Sequence, residues 1–138
     1  GEMSGHVFFF YCNYGYDDAP YAGLRLCEII AKTGKNIQQL LEGLPTSFST
    51  PEIRIDTTEE KKVLIVEKVK TAFAHPSDDF KLNLIDGIRI SFTGKVNGWA
   101  LARASNTQPV LVVRFESDTA QGLETIQNKV MSIVNQYL

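Results

Sequence analysis

The spacing of apolar and polar positions changes character partway along the chain, and the change divides it. In the first part, residues 6–10 form a short apolar, aromatic-rich run, which predicts a buried strand. Asn13, Tyr14 and Gly15 supply turn chemistry. Asp17 and Asp18 offer a cap and negative charge at a helix start, with Pro20 tolerated in the first turn. That helix carries Leu24, Leu26, Cys27 and Ile30 and is expected to stop at Gly34. Asn36 caps a second, short helix over 37–41.

Gly43, Pro45, Thr46, Ser47 and Ser49 make 44–49 a linker, with a domain boundary between 44 and 45. Beyond it, Ile53 and Ile55 alternate with Glu52, Arg54 and Asp56, the period of a half-buried strand. Thr57 followed by Glu60 predicts a capping box. Ile65, Val66, Val69, Ala72 and Phe73 then recur with helical period, and Lys61, Lys62, Lys68 and Lys70 are read as the solvated face. Residues 75–79 break this helix. Four strands follow. Leu82, Leu84 and Ile85 fall in the first. Asp86-Gly87 predicts a type I′ hairpin into Ile88, Ile90 and Phe92. The third strand covers 99–104. The fourth, 110–115, is so continuously apolar that it belongs inside the sheet. A last helix begins near Asp118 and carries Leu123, Ile126, Val130, Ile133, Val134 and Tyr137 as a core-facing stripe. The order strand, helix, four strands, helix predicts an α+β two-layer domain with an antiparallel sheet, preceded by a strand-helix piece of an α/β domain.

Composition fits soluble globular chains, at 43% hydrophobic and 22% charged over 138 residues. A net charge of −2, and no basic sheet face legible in the strands, argue against nucleic-acid binding. Cys12 and Cys27 have no metal-site or disulfide-framework spacing, which suits reduced thiols in the cytoplasm. No apolar run would span a bilayer and no signal peptide is legible, so no membrane partner is expected. The chain starts at Gly1 without an initiator Met, as expected of a piece of something longer.

Three places could carry chemistry. Arg103, Ser105, Asn106 and Thr107 sit in a loop between two strands and offer a guanidinium fork, hydroxyls, an amide and successive backbone N–H groups. Such a set suits a phosphate. Ordinary turn formers, with Arg103 paired to a surface carboxylate, explain the same residues equally well. At the start, Gly1 and Gly5 flank Glu2 and Ser4, with His6 beside them. Glycines permit close approach of a ligand, and a carboxylate can accept from two neighbouring hydroxyls. The alternative is a frayed terminus. Arg114 is a lone charge in an apolar strand and needs a partner, either Glu116 or the Arg103 loop.

Gly-Glu-Met-Ser-Gly-His at the start, Gly-Tyr-Asp-Asp at the helix start, and the later Asp-Gly-Ile-Arg and Gly-Trp-Ala-Leu-Ala-Arg-Ala-Ser-Asn-Thr-Gln-Pro-Val-Leu-Val-Val-Arg-Phe-Glu resemble the α-D-phosphohexomutase family. Met3 inclines the resemblance toward its phosphomannomutase/phosphoglucomutase branch rather than the phosphoglucosamine mutases. The resemblance implies a four-domain enzyme that interconverts hexose 6-phosphate and hexose 1-phosphate, of mannose or glucose, through a phosphoserine and a bisphosphorylated intermediate. It makes 1–44 the remnant of the third domain and 45–138 the fourth, with a TATA-binding-protein-like sheet. It assigns Glu2, Ser4 and His6 to the sugar hydroxyls and Arg103, Ser105, Asn106 and Thr107 to phosphate, with Arg114 nearby. The family's Thr-Ala-Ser-His-Asn-Pro serine motif and Asp-Gly-Asp-x-Asp-Arg metal loop do not occur in these residues. The resemblance therefore puts Mg²⁺ and catalysis in missing N-terminal domains and implies an inactive piece, with apolar surface exposed around 7–10 and 24–30. The competing readings are a stand-alone phospho-ligand-binding module, a phosphoglucosamine mutase fragment, and a nucleic-acid or protein interaction domain.

Overall fold

A computed structural model describes residues 5–75 and 77–138. The chain divides into two compact units, Gly1–Leu44 and Pro45–Leu138.

The first unit is built on helix α1, Ala19–Thr33, and the single turn α2, Ile37–Leu40. Asp18 caps α1 by accepting from the Tyr21 N–H at 2.9 Å, and Gly34 ends it in the left-handed region at φ 66°. Asn36 and Gln39 form a reciprocal capping box on α2. The strand expected over 6–10 does not form. A strand needs a paired neighbour, and here the run meets only an isolated Phe8↔Asp17 bridge. The chain instead folds back on itself, with the Gly15 N–H donating to the Phe9 carbonyl at 3.1 Å. No residue of α1 is buried. Phe8, Phe10, Leu24, Leu26 and Ile29 all stand exposed, as expected for this stretch.

The second unit is α+β. Its elements are β1 (Phe48–Ser49), β2 (Ile53–Asp56), α3 (Glu59–Ala72), β3 (Phe80–Asn83), β4 (Ile88–Thr93), β5 (Asn97–Ala104), β6 (Val110–Ser117) and α4 (Ala120–Asn135). The sheet is antiparallel in the order β1-β6-β5-β4-β3, and β2 also pairs with β6. Its most apolar strand is therefore internal, as its sequence predicts. Alternation puts Leu111, Val113 and Phe115 of β6, Ala100 and Ala102 of β5, and Ile88, Ile90 and Phe92 of β4 on one face. There they meet Ile65, Val66, Val69 and Phe73 from α3 and Ile126, Val130 and Val134 from α4. The small alanines of β5 leave room for these two helices to approach the centre of the sheet.

Several expectations need correction. Strand β1 lies inside the stretch read as linker; two residues carry no legible alternation. The cap of α3 is Thr58, accepting from the Lys61 N–H at 3.2 Å, one residue later than the expected Thr57. The β3–β4 connection is not a type I′ turn. That turn needs positive φ at both central residues, whereas Gly87 has φ 69° and Asp86 does not; β3 also ends at Asn83, so Leu84 and Ile85 belong to the connection. Lys62 is not on a solvated face; it is only 5% exposed. The sheet does carry a basic face. Register places Arg54, Arg89, Arg103 and Arg114 on the side away from the helices, because each falls at the alternate position to a core residue.

Candidate functional site

The β5–β6 hairpin ends at the pair Ala104↔Leu111, and residues 105–109 close it. The Ser105 N–H donates to the Val110 carbonyl at 2.9 Å, and the Val110 N–H to the Gln108 carbonyl at 2.8 Å. Pro109 accepts from the Thr57 N–H at 2.9 Å, tying the loop to the chain entering α3. Inside the loop the Thr107 N–H reaches Ser105 Oγ at 3.4 Å. Among the described residues, the N–H groups of Asn106 and Gln108 have no protein acceptor. The Asn106 and Thr107 side chains are exposed, and Ser105 is half-buried.

The loop is held from beneath by Lys62 of α3. Its ammonium donates to the Ser105 carbonyl at 2.6 Å, to the Gln108 carbonyl at 2.9 Å, and to Glu59 at 2.7 Å. Arg54 donates to Gln108 Oε1 on the outer side and to Glu52 at 3.0 Å. Sequence reasoning missed Lys62 because four lysines in this helix suggest a wet face. The available signal was its place three, four and seven residues before Ile65, Val66 and Val69, on the apolar stripe itself.

Arg103 lies half-buried at the end of β5 and meets Asp86 at 3.4 Å. This contact is long for a charge-assisted hydrogen bond. The carboxylate partner that the plainer reading required is therefore present, but loosely held. Gly87 supports this corner, where a Cβ would fall 2.8 Å from Arg103 Cα. Arg114 pairs with neither candidate partner. Its guanidinium lies over the Trp99 ring at 5.8 Å, with Arg89 over the same ring at 4.4 Å. Arg114 Nε is buried without a hydrogen-bond partner among the described residues. Register sets Arg114 diagonally across from Arg103 on the same face, two positions beyond Val112. The loop and face together present donors and positive charge, which suits an oxyanion rather than a cation or an apolar ligand.

Of the residues predicted near the start, Glu2 and Ser4 lie outside the described residues. His6 is described, and its Nδ1 meets Asp17 Oδ2. The other oxygen of Asp17 accepts from the Val7 N–H at 3.2 Å. Asp17 thus braces the segment that follows Gly5, while its neighbour Asp18 caps α1. Its carboxyl is held below the usual carboxylate range, chiefly by the His6 hydrogen bond, with smaller help from Val7. A depressed carboxyl contributes above its unfolded value and loses that contribution as pH falls through the folded one. Carboxyl-detected NMR should therefore find Asp17 titrating below a model-peptide aspartate, with the Val7 amide following the same midpoint. His6→Ala is expected to move that midpoint upward; no movement would show that the pair is not formed in solution.

Among the described residues, no group of three or more His, Cys, Asp or Glu side chains could hold a metal ion. The described carboxylates do not fit the Mg²⁺ of the resembled family. No helix among them is long and apolar enough to cross a membrane.

Comparison with known proteins matches residues 52–133 to the phosphoglucomutase/phosphomannomutase C-terminal domain and residues 1–48 to the phosphoglucomutase/phosphomannomutase alpha/beta/alpha domain III. The phosphomannomutase/phosphoglucomutase of Pseudomonas putida is 45% identical over 130 residues, covering 93% of this chain and 27% of the relative. The phosphoglucomutase of Neisseria gonorrhoeae is 42% identical over 134 residues, covering 97% and 28%. A probable phosphoglucosamine mutase of Methanosphaera stadtmanae is 33% identical over 144 residues, covering 100% and 29%. A crystal structure of a phosphoglucomutase/phosphomannomutase family protein from Burkholderia thailandensis superposes with TM-score 0.80 at 38% identity, covering 99% of this chain and 28% of that one. The chain thus spans little more than a quarter of the length of the relatives it matches.

Proposed function

Because the chain belongs to the phosphoglucomutase/phosphomannomutase family, we propose that it forms the sugar-phosphate-holding part of a mutase interconverting hexose 6-phosphate and hexose 1-phosphate. Arg103, Ser105, Asn106 and Thr107 hold the phosphate that is not being transferred. Arg114 adds positive charge on the same sheet face. Glu2, Ser4 and His6 read the sugar hydroxyls. The observation that carries this reading is the loop itself: Asn106 and Gln108 N–H groups with no acceptor among the described residues, beside hydroxyls and a loosely paired guanidinium.

These residue types suit a reaction in which one site takes the sugar in two opposite orientations. A fixed phosphate clamp serves either phosphate in turn. A carboxylate that accepts from two adjacent hydroxyls meets a similar pair after the sugar turns over. Phosphoryl transfer is chiefly positioning and charge stabilisation, and this chain contributes the positioning. The phosphoserine that exchanges phosphate with the bisphosphorylated intermediate, and the Mg²⁺ that supports transfer, belong to parts of the enzyme outside these 138 residues, so the chain alone is inactive. Mannose and glucose phosphates are the favoured substrates: Met3 and the 45% and 42% identities support that branch over the 33% one. This reading puts the whole enzyme in the cytoplasm, which suits the free thiols of Cys12 and Cys27.

Amide NMR of the chain titrated with glucose 1-phosphate, against glucose as control, tests this. Selective shifts at residues 103–107 are expected, and Arg103→Ala should weaken binding at least about tenfold, as loss of a charge-assisted hydrogen bond does. Wild-type amides in this loop that stay still throughout would sink the reading.

A further inference from the structure

We propose that Lys62 is the positioning residue of the phosphate loop, setting the orientation of its peptide planes; this rests on the reading that residues 103–107 take phosphate. A buried lysine is costly to stability, and an apolar side chain at this place on the α3 stripe would be cheaper. Lys62 is nonetheless only 5% exposed, and its acceptors are not local. They are two main-chain carbonyls 43 and 46 residues further on, at Ser105 and Gln108, one at each end of the loop.

The geometry of the peptide unit gives this arrangement its consequence. In a trans peptide the carbonyl and the following N–H point in opposite directions. Drawing the Ser105 carbonyl down onto the ammonium therefore turns the Asn106 N–H outward. That N–H has no acceptor among the described residues. Gln108 precedes Pro109, so its carbonyl is turned inward without committing any N–H. The two carbonyl oxygens, which would repel a phosphate if they faced it, are both occupied from behind. Glu59, on the first turn of α3, accepts from the ammonium at 2.7 Å and holds the clip in place. Lys62 acts on the ligand only through the loop, since its own donors are spent on these three partners.

The test uses this chain with Lys62→Met, titrated with glucose 1-phosphate, and compares amide hydrogen exchange at Ser105 and Val110, whose N–H groups close the loop. Lys62→Met is expected to weaken binding about tenfold. It should also speed exchange at those two amides by a similar factor, leaving Val113 and Phe115 of the sheet unchanged. A merely structural lysine would lower the melting temperature while the folded protein kept its affinity. If Lys62→Met does not fold, Lys62→Gln serves, since it is neutral and can still satisfy one carbonyl; at least about threefold weaker binding is expected there. Affinity within twofold of wild type in the folded variant, with Arg103→Ala weakening binding at least about tenfold, would overturn this inference and leave the phosphate reading standing. Wild-type protein that binds no sugar phosphate, or an Arg103→Ala variant that binds unchanged, would overturn the reading and the inference with it.

Discussion

Phe115→Ala is expected to cost the second unit about 3–5 kcal/mol, the range for removing a fully buried phenyl ring. Phe115 is 0% exposed in the second half of β6 and sits opposite the small Ala100 of β5. Its main chain is locked on the other side. The Phe115 N–H donates to Thr50 Oγ1 at 3.1 Å and its carbonyl accepts from the Thr50 N–H at 3.0 Å. With β6 held between β5 and the β1–β2 edge, the strand cannot move in to fill the space, and α3 and α4 would have to shift instead. A domain of this size is stable by only about 5–15 kcal/mol, so the variant would lose a large part of its margin. Urea denaturation at unchanged slope would read the loss directly. A cost under about 1 kcal/mol would mean that the helices settle onto the sheet and that the core is looser than its burial indicates.

Gly87→Ala is expected to combine a stability loss with a change at the phosphate loop. Gly87 has φ 69°, a region that costs a residue with a Cβ about 1–3 kcal/mol. The new methyl would also stand 2.3 Å from the Ala102 carbonyl oxygen and 2.8 Å from Arg103 Cβ. Both neighbours belong to β5, so the overlap can be relieved only by moving the strand that delivers Arg103 or by opening the β3–β4 connection. The expected result is a lower denaturation midpoint together with shifted Arg103 and Ser105 amides before any ligand is added. A variant that loses stability with those amides in place would show that the connection alone gives way.

Legibility in the sequence followed the range of the interactions. The alternation of β2 and β4 and the helical stripes of α3 and α4 are local patterns enforced by burial on one side, and the continuous apolar run of β6 by burial on both, so they predict elements well. Strand β1 failed because two residues cannot display a period. The stretch over 6–10 failed for the opposite reason: its apolar character is real, but strandedness depends on a neighbour that the described residues of its unit do not supply. At the candidate site, Arg103, Ser105, Asn106 and Thr107 are visible as residue types. What shapes their loop is not, because Lys62 and Thr57 approach it from more than forty residues away and Asp86 reaches Arg103 across a strand pair. Lys62 also shows that a charged residue on an apolar stripe should be asked which carbonyls it could reach before it is assigned to solvent.

Trp99 is the sole tryptophan of the chain, and the guanidinium groups of Arg89 and Arg114 both lie over its ring on the sheet face that also carries Arg103. All the indole emission of the molecule therefore originates about four residues along β5 from Arg103, roughly 13 Å at strand rise. Neighbouring cations shift the energy of the indole excited state, so any rearrangement of these arginines changes the colour of the emitted light. The protein carries its own optical gauge of that surface, readable without a label.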